Sequence, residues 1–205
     1  VGERIGTTVD DDTIVLGYIG ALYNGRGIEL CIEITKNLIN LGFNARLLVI
    51  GDGPFRSQLE EFANKMEISE YVNFTGKVPP EKISSIFFQC TFGMAIFEAT
   101  ERVGMTGGSP LKLWTYLALG KPVIFFDAGV MTECRGIPGV FPIDDLISLN
   151  ISKYIIKIMQ ECTREKLSEI GSMGRRYVLE NRTWHNHTKI ISDALVKYFH
   201  DKIGR

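Results

Sequence analysis

From Thr13 onward, short apolar runs alternate with longer segments in which apolar residues recur every three or four positions. The short runs are Ile14 to Ile19, Ala45 to Ile50, Tyr71 to Thr75, Thr91 to Ile96, Val123 to Phe126 and Gly139 to Phe141. Most are apolar throughout, which a strand requires when both faces of its sheet are covered. The alternation predicts an α/β domain, a mainly parallel sheet of about six strands between two layers of helices. A first helix is expected from about Gly27 to Leu41, turning Ile28, Ile32, Leu38 and Leu41 inward and stopping at Gly42. Pro54 opens a second, with Leu59, Phe62 and Ala63 on its apolar side, and Pro79 and Pro80 open a short third bearing Ile83, Ile86 and Phe87. After the sixth strand come three polar-faced helices, Ser152 to Cys162, Glu165 to Asn181 and His185 to Lys202, expected to pack on one edge of the sheet. Trp184 is expected to anchor the last of them to the core.

The first dozen residues, VGERIGTTVDDD, are polar and lack both a starting methionine and an apolar signal core. Residues 1–12 therefore read as a linker, and 13–205 as a single domain cut from a longer protein. Composition narrows the partners. With 45% hydrophobic residues the chain can build a substantial core. Its 23 basic and 24 acidic side chains nearly cancel, which leaves no global field for nucleic acid or an anionic membrane. Cys31, Cys90, Cys134 and Cys162 are widely spaced and form no C-x-x-C pair, so they read as free thiols in a reducing, cytoplasmic setting, with no metal expected. The histidines, His185, His187 and His200, have neither zincin spacing nor a companion nucleophile.

In open α/β sheets ligands bind beyond the carboxyl ends of the strands, and those turns hold the suggestive residues. The richest stretch is Gly107 to Val123, GGSPLKLWTYLALGKPV. Ser109 suits an N-cap and Pro110 the first helical position, so a helix starts there with Gly107 and Gly108 before it. Lys112 then falls in the first turn, where the helix dipole disfavours a cation unless an anion shares the space. A phosphate at the amides of Ser109 and Leu111 would resolve that conflict. Gly120 and Pro122 close this helix. After the first strand, Gly20-Ala21-Leu22-Tyr23-Asn24-Gly25-Arg26-Gly27 brings Arg26 to the first turn of helix one, either as a second phosphate ligand or as a solvated side chain beside a turn. Gly51-Asp52-Gly53-Pro54 fits plain turn chemistry as well as ligand contact. Gly76-Lys77, leaving the third strand, has room for a flat base against the backbone. The loop from Phe97 to Gly108 is long enough to be a binding segment, and its composition equally suits a mobile surface loop. Neither glycine turn matches G-x-G-x-x-G or the P-loop, so nicotinamide and ATP-hydrolase functions gain no motif support.

Taken together, GYIGALYNGRGIEL, LLVIGDGP, VNFTGKVP, SPLKLWTYLALGKPVI and RRYVLENRTW resemble, in order, the C-terminal half of GT-B glycosyltransferases of family 4, over about Thr13 to Phe199. The resemblance implies one Rossmann-like α/β/α half of a two-domain enzyme, holding the nucleoside diphosphate of a sugar donor. It implies transfer of a hexose-type sugar to an acceptor with retention, no cofactor beyond the donor, and no catalytic residue in this half. The implied partner is an absent N-terminal acceptor domain, through which the full-length protein could associate with the cytoplasmic face of a membrane. Two departures stand out. The family's phosphate-binding Arg and Lys after the first strand fall on Ala21 and Arg26, and the glutamates of its E-x7-E motif fall on Gly107 and Thr115. Glu98 or Glu101 would have to compensate for the missing carboxylates, while Thr115 offers a single hydroxyl. These losses keep two alternatives in view, a non-catalytic nucleotide-sugar-binding module and a sugar-nucleotide epimerase on the same fold.

Overall fold

The computed structural model describes residues 12–96, 111–126 and 134–203. Six parallel strands form one sheet in the order β3-β2-β1-β4-β5-β6: β1 Ile14–Ile19, β2 Ala45–Ile50, β3 Val72–Gly76, β4 Phe92–Ala95, β5 Val123–Phe126 and β6 Val140–Ile143. The order reverses direction between β1 and β4, which opens a crevice beyond their carboxyl ends. Helices α1 (Ile28–Asn40), α2 (Arg56–Lys65), α3 (Pro80–Phe87), α4 (Leu111–Ala118), α5 (Ser148–Glu161), α6 (Arg164–Asn181) and α7 (Trp184–Ile203) complete the described elements, with a 3₁₀ turn at Ser69–Tyr71.

Strand residues divide by alternation between two apolar cores. Ile14, Leu16 and Tyr18 of β1 join Leu47 and Val49 of β2 under α1, α2 and α5. Val15 and Ile50 face the other way, with Phe87 of α3, Leu113, Tyr116 and Leu117 of α4 and Val178 of α6. On that second face glycine makes room for aromatic rings. A side chain at Gly17 would overlap Phe87, and one at Gly93 would overlap Tyr116. Those two rings stack with centroids 5.2 Å apart and planes 7° from parallel.

The sequence expectations for β1, β2 and β5 match residue for residue, and the other strands shift by one or two positions. Helix α1 buries Ile28, Ile32 and Leu38 as expected, together with Cys31, Ile34 and Thr35. Leu41 is a correction: it caps the helix and is 43% exposed, because the chain turns away at Gly42, whose φ is 87°. The three late helices do not share one edge. Helix α5 packs on α1, α6 packs on α4 in the opposite layer, and α7 leaves most of its apolar side chains in solvent. Trp184 anchors nothing here; it is 86% exposed on the first turn of α7. Ile191, Leu195, Tyr198 and Phe199, also exposed, continue its stripe at helical spacing.

Candidate functional site

The site is built on the turns that follow β1 and β2. Gly20 N donates to Ile50 O at 2.9 Å, Leu22 N to Asp52 O at 3.1 Å, and Phe55 N back to Leu22 O at 3.1 Å. Gly51 N donates to Gly76 O at 3.0 Å, so three strand ends are sewn together by main chain alone. No side chain fits between them. A Cβ on Gly51, whose φ is 139°, would overlap the Gly20 carbonyl, and one on Gly53 would overlap the backbone of Leu22. Gly51 and Gly53 are thus required by this seam and need no ligand contact to explain them. Asp52 accepts from Gly53 N at 2.8 Å and lies 3.9 Å from Arg56, which also donates to Glu60 at 2.7 Å and to Phe74 O at 3.3 Å.

Strand β1 is held in place up to this turn. Ile19 N donates to the Tyr116 hydroxyl at 2.9 Å, and burial pushes that phenol well above its ordinary pKa, keeping it protonated. One residue earlier, the Tyr18 hydroxyl donates to Ala21 O at 3.3 Å, across the turn. Lys112 of α4 reaches this place, with its Nζ 3.7 Å from the centroid of the Tyr18 ring. Gly20 sits against the same lysine: a Cβ there would be 3.2 Å from Lys112 Cε. Burial lowers the Lys112 pKa to about 8, with Arg26 pushing in the same direction and Cys31 opposing it.

Of the residues singled out in the sequence, the structure brings Gly20, Ala21, Lys112 and Arg26 into one neighbourhood. Arg26 does not lie in the first turn of α1. It precedes Gly27, which caps the helix with a φ of 75°, and is exposed in the turn before it. Neither Arg26 nor Lys112 has a carboxylate partner among the described residues. Gly76 and Lys77 stand at the end of β3 with β2 between them and β1; Gly76, at φ 72°, completes the turn seam and Lys77 is exposed. Leu111 is exposed at the start of the described part of α4, and its carbonyl accepts the Thr115 hydroxyl at 2.8 Å. That bond spends the Thr115 proton on its own helix. Gly107, Gly108, Ser109, Glu98 and Glu101 lie outside the described residues. Sequence reasoning passed over Tyr18 and Tyr116; the available signal was a tyrosine beside a glycine turn, whose polar tip needs a partner once its ring is buried. No group of three or more His, Cys, Asp or Glu suited to a metal occurs among the described residues.

Glycine turns beyond the ends of parallel strands, at a reversal of strand order, are where Rossmann-like α/β domains open a ligand crevice, and here they stand beside two cations without carboxylate partners among the described residues. The profile of Glycosyl transferases group 1 matches residues 13–159, and the chain belongs to that family. Its sheet is the Rossmann-like C-terminal half of a GT-B fold. The chain is 34% identical over 84 residues to the alpha-D-kanosaminyltransferase of Streptomyces kanamyceticus, covering 41% of this chain and 21% of that protein. It is 24% identical over 201 residues to Protein CapJ of Staphylococcus aureus, covering 93% of this chain and 49% of the other. Among solved structures, Anabaena Alr3699/HepE in complex with UDP superposes with a TM-score of 0.69 at 17% identity, covering 91% of this chain and 49% of that one. The chain thus spans half or less of the length of these relatives.

Proposed function

We propose that this chain binds the nucleoside diphosphate of a sugar donor for a glycosyltransferase that moves a hexose-type sugar to an acceptor, with retention at the anomeric carbon. One observation carries the reading: Lys112 is half-buried at the Gly20 turn, beside Arg26, with no carboxylate partner among the described residues. A desolvated ammonium is costly unless an anion comes to it. As the bond between sugar and diphosphate breaks, negative charge grows on the leaving phosphate, and cations placed beside it stabilise that charge. The presence of UDP in the Anabaena neighbour supports a nucleoside diphosphate as the ligand class. The acceptor site and any catalytic side chain would belong to an N-terminal domain outside this chain, so the chain by itself is expected to bind donor weakly and transfer nothing.

Calorimetry with UDP, GDP and their sugars tests this. Arg26→Ala and Lys112→Ala should each weaken diphosphate binding by roughly 10- to 100-fold, the range of a charged hydrogen bond; unchanged affinity in both removes the assignment. A second reading, a binding module that has lost transfer, is favoured by Thr115, whose hydroxyl is turned onto the Leu111 carbonyl. Thr115→Glu should then strengthen UDP binding by about tenfold, by offering the ribose a charged acceptor. No gain, together with sugar transfer by the full-length protein, leaves the first reading. Product analysis of that protein separates transfer from epimerisation.

A further inference from the structure

We propose that Tyr18 is a positioning residue for the diphosphate site, its ring face holding the Lys112 ammonium at the Gly20 turn while leaving the charge free for a phosphate; this rests on the function proposed above. Tyr18 is fully buried in the α1 layer of the core, and its hydroxyl is tied to Ala21 O. The ring is therefore fixed at both ends. Lys112 comes from α4, on the opposite face of the sheet, and meets the ring beyond the carboxyl end of β1. Gly20 closes over both, since a Cβ there would stand 3.3 Å from the Tyr18 oxygen and 3.5 Å from Lys112 Nζ. Ring, ammonium and glycine turn form one stack.

The chemical choice of partner matters. A carboxylate would hold the lysine more firmly, but it would neutralise the charge and compete with phosphate for it. An aromatic face attracts the cation through its quadrupole and satisfies none of its three N–H donors. The four-carbon stem is thus ordered before the ligand arrives, and less of its freedom remains to be lost on binding. The other groups acting on the ammonium are Arg26, in the turn before α1, and Cys31 of α1; Glu29 of the same helix acts on Tyr18 and Cys31, and Tyr18 acts on the buried Tyr116 hydroxyl. Burial leaves Lys112 with a pKa of about 8, so a bound diphosphate draws a proton onto it above that pH.

The test uses the 205-residue chain with lysine labelled at Cε, Lys112 assigned through Lys112→Arg, and UDP and GDP as probes. In the wild type the Lys112 ε resonance should be displaced upfield by the ring, titrate near pH 8 and shift to a higher midpoint with nucleotide. Tyr18→Phe should keep the displacement and bind within about threefold of wild type; Tyr18→Leu should lose the displacement and bind about tenfold more weakly at pH 7, a loss of the size expected for one cation–π contact. A wild-type Lys112 resonance without upfield displacement overturns the inference whether or not the leucine variant folds. So does a folded Tyr18→Leu that binds as tightly as wild type, or a Tyr18→Phe weakened as much as the leucine. Failure of the wild type to bind either nucleotide refutes the proposed function instead.

Discussion

Replacing Lys112 by Met should make this domain more stable while weakening the proposed diphosphate site. The unbranched side chain keeps most of the lysine stem's volume and can lie against the Tyr18 ring. A fall in lysine pKa from 10.5 to about 8 corresponds to about 3 kcal/mol against the charged form, at 1.36 kcal/mol per pH unit. Solvent at the half-buried ammonium screens part of this, which leaves about 1–2 kcal/mol. The net cost carried by the wild type at pH 7 is therefore about 1–2 kcal/mol. The sign with pH follows from linkage. Below pH 8 the lysine is charged in both folded and unfolded chains, and the cost is fully present. As pH rises from about 8 toward 10.5 the folded form sheds its proton first, so the wild type gains on the variant until the two converge. Urea unfolding at pH 7 should show Lys112→Met more stable by about 1–2 kcal/mol, a rise in Tm of roughly 2–8 °C for a domain of this size. The same measurement near pH 10 should show the difference largely gone. A variant no more stable than wild type at pH 7, or an advantage that stays constant from pH 7 to 10, would falsify the reasoning. A given excess of UDP should stabilise the wild type more than the variant, because the gain by mass action falls with affinity.

Two other predictions concern the frame around the site. Gly53→Ala should cost about 3 kcal/mol or more in unfolding experiments, because its methyl overlaps Leu22 main chain, which cannot swing aside as a side chain can; a loss under about 1 kcal/mol would mean that the seam yields. Of the four free thiols, burial pushes Cys31 and Cys90 up to about 12 and also covers Cys134, so Ellman's reagent at pH 8 should find one fast equivalent, at Cys162, and three only on unfolding.

How far the fold could be read from the chain depended on what each segment packs against. Strands β1, β2 and β5 lie between two helical layers, so their apolar runs end where burial ends, and their limits are visible in sequence. Ser152 misled because serine suits a helix start. In the structure it is buried inside α5, bonding Ser148 O at 2.7 Å and Ile34 O of α1 at 3.3 Å, so its small size serves the contact between helices. Trp184 misled for the opposite reason: an apolar stripe at helical period marks a face, and period alone does not say whether this domain covers it. Lys112 was legible as a cation near a helix start, whereas Arg26, expected in the first turn of α1, in fact precedes the Gly27 cap. Tyr18 was not legible, because its relation to Lys112 joins a strand in one layer to a helix in the other, which no local pattern records.

The main-chain seam joining the ends of β1, β2 and β3 also has a consequence in time. Loop amides ordinarily open to solvent by small local fluctuations. Here the amides of Gly20, Leu22, Gly51 and Phe55 are bonded across turns that pack backbone on backbone, so releasing any one requires separating the strand ends themselves. In deuterated water these four should exchange at rates close to those of the sheet, several orders of magnitude slower than a glycine-rich loop of the same composition. The floor of the crevice beyond the strand ends then behaves as an extension of the sheet, and any closing movement over it must come from parts that stand above it.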